Sequence, residues 1–303
     1  MNAFLGELGK KLAERWVTLL VVPGLLWVAT VFVAVRLGHC HALDPHRLDG
    51  WVDEFVKSAT GSQLTRIVVV AAGILGFAAA AGLAASWLGQ LVERLWTIPG
   101  RRRPARYLTN FRRERWQTAH EKVEEATRAA LSGGTATAHA PDLPAAVAAC
   151  RRISPVPADR PTWIGDRLRG LDIRVFARYR LDLSAAWPRL WFTMPEDARA
   201  ELTGAHASYT GAARLFGWSA LYLVVAAWWW PAVLIAAATA TTAWFQARAA
   251  TATLTDLAEA AVDLHGAELA RKLGIACPDR LTSTIGEEVT KLLRKDETLN
   301  PPP

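Results

Sequence analysis

Residues 215–247 contain no charged side chain, and Arg214 and Arg248 bracket them. As a single helix rising about 1.5 Å per residue, these 33 residues would reach roughly 50 Å, well beyond a hydrocarbon core of about 30 Å. Trp228-Trp229-Trp230-Pro231 stands at the centre of the stretch. Proline suits the first turn of a new helix and tryptophan the membrane–water interface. The stretch therefore reads as a tight transmembrane hairpin, cut at Trp230/Pro231, with both arginine ends on one side and Trp228, Trp229 and Trp230 as interface anchors.

Two further blocks, Trp16–Val35 and Ile67–Val92, are almost as free of charge, while the region from Glu93 to Arg214 is highly charged. This segregation predicts an all-α membrane protein, with four transmembrane helices arranged as two hairpins and a helical cytoplasmic module. The predicted order is an amphipathic inner-surface helix (1–15), TM1 (16–36), an extracytoplasmic loop with a short interfacial helix (37–65) and TM2 (66–92). A cytoplasmic helical module (93–212), TM3 (213–230), TM4 (231–247), a cytoplasmic extension of the TM4 helix (248–274), and a short helix with a disordered tail (275–303) follow. Pro23-Gly24 predicts a kink in TM1. Ala72, Gly76, Ala80 and Ala84 form one small-residue stripe on TM2, and Ala78, Gly82 and Ser86 form another, which suits a central position in a bundle.

The net charge of +7 is concentrated. Arg101, Arg102, Arg103, Arg106, Arg112, Arg113 and Arg115 face one acid, Glu114, just after the second span. Lysine and arginine near span ends set orientation, so both termini and residues 93–214 are expected on the cytoplasmic side of a bacterial inner membrane. The same run suits the anionic inner leaflet, at about 1 kcal/mol per basic residue near the surface. No nucleic-acid partner is expected.

Within the cytoplasmic part, Ile164, Leu168, Leu171, Val175 and Tyr179 recur at helical spacing, with arginines between them. Leu183–Met194 is too apolar for a solvent loop. Pro195 opens a helix that runs into TM3, bent at Gly204 or Gly211. Leu254, Leu257, Ala261 and Leu264 repeat like a short coiled-coil seam. Gly274 is the expected stop of that helix, and Thr284-Ile285-Gly286-Glu287 resembles a capping box. Trp163, Trp187 and Trp191 lie in the aqueous part and are candidates for a partner surface or a domain core.

Chemistry-bearing clusters are few. His39, Cys40, His41, Asp44 and His46 have the donors for zinc or copper, but adjacent residues seldom ligate one metal, and a polar turn leaving the membrane is the alternative. Cys40 could also join two chains. Glu259, Asp263, His265 and Glu268 read as a solvated helix face. No phosphate loop, dinucleotide fingerprint, HExxH or nucleophile elbow occurs, so no catalytic or cofactor-binding residue is assigned. The charge-free blocks of the spans place no Asp, Glu, Lys, Arg or His near a midplane, where coupled transporters use such groups.

In composition, in Gly9-Lys10-Lys11-Leu12-Ala13-Glu14-Arg15-Trp16, and in Ala261-Val262-Asp263-Leu264-His265 with Leu273-Gly274, the chain resembles uncharacterised multi-pass membrane proteins of high-GC actinobacteria. That resemblance implies no activity. The expected role is a membrane scaffold or adaptor presenting its basic helical module to a cytoplasmic protein partner. The alternative is an oligomeric channel or membrane-permeabilising effector, self-associating through its spans. A membrane enzyme with scattered catalytic residues is a third reading.

Overall fold

The computed structural model describes residues 21–42, 44, 64–100, 103, 105–131 and 142–294. The amphipathic 1–15 helix, the interfacial helix in 45–63, His46, Arg101, Arg102 and the tail from 295 lie outside the described residues. Those described form nine helices and no strand: α1 (Val22–Leu37), α2 (Leu64–Thr97), α3 (Ala105–Leu131), α4 (Leu143–Ile153), α5 (Trp163–Tyr179), α6 (Leu183–Thr193), α7 (Glu196–Val225), α8 (Pro231–Lys272) and α9 (Ser283–Arg294). They fall into two compact units, one of residues 1–93 and 210–245, the other of 94–209 and 246–303. Helices α7 and α8 contribute to both.

The first unit holds the apolar helices. Among the described helices, Val68–Thr97 is long and apolar enough to cross a membrane, and Val22–Leu37 is apolar but shorter. Helices α7 and α8 are more mixed: Arg214 lies within α7, Gln246 and Arg248 follow directly on the apolar part of α8, and Thr239, Thr241 and Thr242 interrupt it. The hydroxyls of Thr239 and Thr241 donate to carbonyls of their own helix. Side chains of α2 such as Val69, Leu75, Phe77, Leu83 and Trp87 are exposed. An apolar helix with open apolar side chains is suited to lipid and poorly suited to water.

Packing in this unit depends on small residues. A Cβ on Gly24 would lie 2.2 Å from the Ala78 carbonyl oxygen, and one on Gly217 would lie 2.1 Å from that of Ala85. Helices α1 and α7 thus approach the α2 backbone directly. Ala78, Ala81, Gly82, Ala85 and Gly89 are buried, whereas the predicted stripe Ala72, Gly76, Ala80 and Ala84 is exposed. Helix α2 is therefore packed on one face and open on the other within this chain, instead of central. Pro23 is the second residue of α1, in its first turn, where proline is accommodated.

The cut between the last two apolar segments is broader than one peptide bond. Helix α7 ends at Val225, and residues 226–230 form the turn before Pro231. Trp229 points inward onto Ala34, Val225 and Ala232, and its indole donates to the Ala42 carbonyl at 3.0 Å. Trp228 and Trp230 are exposed. One of the three predicted anchors is therefore a packing residue that ties the turn to the end of α1.

The second unit has a larger core. Val175, Leu190, Val262, Leu269 and Val289 are each no more than 2% exposed and join α5, α6, α8 and α9. Burying each contributes about 1.5–3 kcal/mol. A polar ladder accompanies them: Arg167 bonds Asp256 and Thr255, Arg174 bonds Glu259 at 2.7 Å, and Tyr179 donates to Asp263 at 2.6 Å. Thr255 is buried but the charged groups are partly exposed, and such ion pairs contribute only about 0–1 kcal/mol apiece. The apolar contacts hold α5 to α8, and the ladder sets their register. Glu259 and Asp263 are therefore α5 partners, not a bare solvated face.

The seam pattern on α8 packs inside the chain. Ala258, Ala261 and Val262 are buried, while Leu264 is 75% exposed. Helix α7 passes through Gly204 and Gly211 without interruption, and α8 is continuous over 42 residues, about 63 Å. Helix α8 stops where expected: Gly274 has φ +83°, Ile275 N–H donates to the Ala270 carbonyl and Gly274 N–H to that of Arg271. That pair of bonds is a Schellman motif. The last helix is capped two residues earlier than predicted, because Thr282 Oγ1 accepts from Ile285 N–H, and Thr284 is exposed.

Candidate functional site

The corner between α5 and α6 is short: two residues, Arg180 and Leu181, separate the end of α5 from Asp182, which opens α6. Arg180 ends α5 in the left-handed region at φ +55°, and Asp182 caps α6 by accepting from the amides of Ser184 and Ala185. Helix α9 clamps this corner. The Thr290 hydroxyl donates to the Arg180 carbonyl and accepts from Asp182 N–H, while Arg294 grips Asp182 through two nitrogens at 2.6 and 2.8 Å. Gly286 allows the contact, since a Cβ there would lie 1.9 Å from the Tyr179 carbonyl oxygen.

Two cavities open on either side of α5. One, of about 640 Å³, is lined chiefly by Leu168, Leu171, Leu183, Trp187, Trp191, Leu202, Leu254 and Ala258, with Asp172, Ser184, Thr203 and His206 supplying polar atoms. Its volume falls within the usual range for small-molecule sites. The other, of about 650 Å³, carries Arg160, Arg169, Arg180 and Arg294 against Asp172 and Asp182, with Ile173 and Phe176 between them. Asp172 and Leu183 line both cavities. Burial raises the pKa of the Asp172 carboxyl, Asp182 pushes the same way, and Arg160 opposes them.

Asp182 shifts in the opposite direction. The Ser184 hydrogen bond lowers its pKa, burial opposes that, and Arg294 and the Ala185 amide lower it further. A carboxylate favoured in the folded state stabilises the fold fully above the ordinary aspartate range, near pH 4, and that stability is lost as pH falls through the depressed value. Asp182→Asn should therefore destabilise the protein at pH 7 and flatten the acid side of its stability–pH curve. Thermal unfolding between pH 2.5 and 7 tests this, and an unchanged acid limb would contradict it.

The predicted site residues scatter. Trp187 and Trp191 do meet, at 6.4 Å between ring centroids, and line the apolar cavity. Trp163 lies elsewhere, under the Arg248 guanidinium at 4.5 Å, with its indole donating to the Arg151 carbonyl. His39, Cys40 and His41 are exposed in the turn after α1, where Asp44 N–H bonds the His41 carbonyl. No group of three or more potential metal ligands converges among the described residues.

The arginine run divides into two sets. Arg112 reaches Asp166 at 2.7 Å and the Ile153 carbonyl at 2.8 Å; Arg113 reaches Asp159 and the Ala158 carbonyl. Trp116 adds a bond to the Ser154 carbonyl. These side chains sew α3 to residues 153–166. Arg103, Arg106 and Arg115 are exposed beside the exposed Tyr107, Leu108 and Phe111, with Arg115 over the Phe111 ring.

Sequence reasoning misses Asp172 and the arginines 160, 169, 180 and 294. No local motif joins positions so far apart. The nearest signal is Asp182-Leu183-Ser184, which has the form of a helix cap. Compared with protein-family models, curated proteins and solved structures, the chain matches none.

Proposed function

We propose that this chain is an integral membrane adaptor. In this reading four spans form two hairpins in a bacterial inner membrane, both termini are cytoplasmic, and the second unit meets a cytoplasmic protein. The observation that supports it most is helix α3. Of its 27 residues, Thr109 and Ala126 alone are buried. A helix of that length contributing so little to a core is available for another surface. Its first turns, with Arg106, Tyr107, Leu108 and Phe111, and Arg103 just before them, combine the charge and apolar surface that suit an anionic leaflet. Farther along, α3 and α4 enclose an open cavity of about 300 Å³ lined by Arg115, Lys122, Ala149 and Ile153 among others, which fits an acidic side chain of a partner.

The test is photo-crosslinking in intact cells, with a crosslinking residue at the exposed positions Gln117, Glu121 or Glu125 and a control at Trp228. The expected result is one protein adduct of the same mass at the α3 positions and none at the control. Adducts to lipid alone would overturn the reading.

The open stripe Ala72, Gly76, Ala80 and Ala84 favours a second reading, an oligomeric channel closed by copies of α2. Purified protein in liposomes should then conduct ions; a non-conducting monomer rules that reading out.

A further inference from the structure

The two cavities flanking α5 have opposite chemistry and share a boundary. Trp187, Trp191, Leu202 and Leu254 make the first an apolar slot. The second concentrates four arginines against two aspartates. Its cations are not all spent internally. Arg294 is held by Asp182 and Arg169 by Asp159 at 3.0 Å. Arg160 and Arg180 have no ion pair among the described residues; Arg160 donates to the Thr97 carbonyl and Arg180 lies over Phe176. The Nε of Arg160 is buried without a hydrogen-bond partner, which a bound anion or a water would relieve.

From this juxtaposition we infer that the groove binds an anionic single-chain amphiphile, an alkyl or acyl phosphate in class, with its chain against Trp187, Trp191 and Leu254 and its head at Arg160 and Arg180. Each half answers a different part of such a ligand. An alkyl chain gains affinity with every methylene it removes from water, and a guanidinium takes a phosphate through paired donors. A peptide would leave backbone amides unsatisfied in the apolar slot, which offers few polar partners. A free phosphate would leave the slot unused. Asp172 stands where chain and head would join, and its carboxylate opposes an anion there, so the site carries an identifiable negative element. The site is separate from the α3 surface of the adaptor reading, and either can fail alone.

The full chain in phosphatidylcholine nanodiscs is exposed to a hexadecyl phosphate bearing a chain diazirine, irradiated, and mapped by peptide mass spectrometry. Adducts are expected on α6 and around Leu254. Unlabelled hexadecyl phosphate should displace them, while hexadecanol and inorganic phosphate at the same concentration should not. Arg180→Asn removes the cation yet tolerates the left-handed backbone. It should raise the competing concentration about tenfold, the usual scale of one charge-assisted bond. Asp172→Asn should lower it about threefold by removing a nearby like charge. Thr203→Trp, at an exposed position on the slot, should abolish the adducts without changing thermal unfolding. Equal displacement by hexadecanol or by inorganic phosphate, indifference to Arg180→Asn, or adducts confined to α2 would each overturn the proposal.

Discussion

Asp166→Ala is expected to destabilise the second unit by about 3–5 kcal/mol, the cost of leaving one partner of a buried ion pair alone. Asp166 is 0% exposed and sits in the first turn of α5, where a helix N-terminus favours negative charge. One oxygen accepts from the amides of Asp159 and Arg160 at 3.0 and 2.9 Å, and the other accepts from Arg112 at 2.7 Å. Alanine would strand two amides and a guanidinium whose side chain is 20% exposed and whose Nε already lacks a partner. Asp166→Asn keeps an acceptor for the amides and should lose less. Replacing both Asp166 and Arg112 by leucine should recover part of the loss, since no charge is left buried. Denaturant unfolding of the nanodisc-held chain, followed by tryptophan fluorescence, measures all three. A loss below about 1 kcal/mol for Asp166→Ala, or a double variant worse than the single, would show that the pair does not hold this corner.

That pair also marks the reach of sequence patterns. In the sequence, Arg112 and Arg113 group with Arg101, Arg102, Arg103, Arg106 and Arg115, because orientation depends on charge near a span. Nothing local distinguishes an exposed cation from one bonded to Asp159 or Asp166, some fifty residues on. Periodicity is more informative. Ile164, Leu171 and Val175 form the buried side of α5 as their spacing implies, because a 3.6-residue repeat states which face avoids water. It does not state the partner. The repeat over Leu254, Leu257 and Ala261 suggests a second chain, whereas that face packs in the chain's own core. Trp187 and Trp191 stand out in the sequence as surface or core candidates, and the arginine groove beside them does not, since residues from 160 to 294 meet there only after α5, α6 and α9 have folded together.

The second large effect is expected at Gly217. Its missing Cβ would lie 2.1 Å from the Ala85 carbonyl oxygen and 3.1 Å from the Gly89 amide nitrogen. Gly89 in turn lies against the backbone of residue 214, where a Cβ would come within 2.9 Å of Arg214 Cα. No flexible side chain can yield at these contacts, so Gly217→Leu must move α7 off α2. Overpacking of this kind costs about 1–3 kcal/mol and sometimes more, and the upper end applies where backbone meets backbone. A Cβ added to Gly211 on α7 or to Gly76 on α2 would meet nothing within 4 Å. Gly211→Leu and Gly76→Leu should therefore unfold like the parent or slightly later, glycine being about 1 kcal/mol worse than alanine inside a helix. The three variants separate two uses of small residues. If the buried stripe Ala78, Gly82 and Ala85 joins helices within the chain, Gly217→Leu lowers thermal stability at every protein concentration. If the open stripe instead joins copies of the chain, Gly76→Leu leaves the monomer intact and shifts the oligomer distribution on native mass spectrometry towards it. Equal stability of Gly217→Leu and Gly211→Leu would show that the close approach of α7 to α2 is not what holds the apolar unit together.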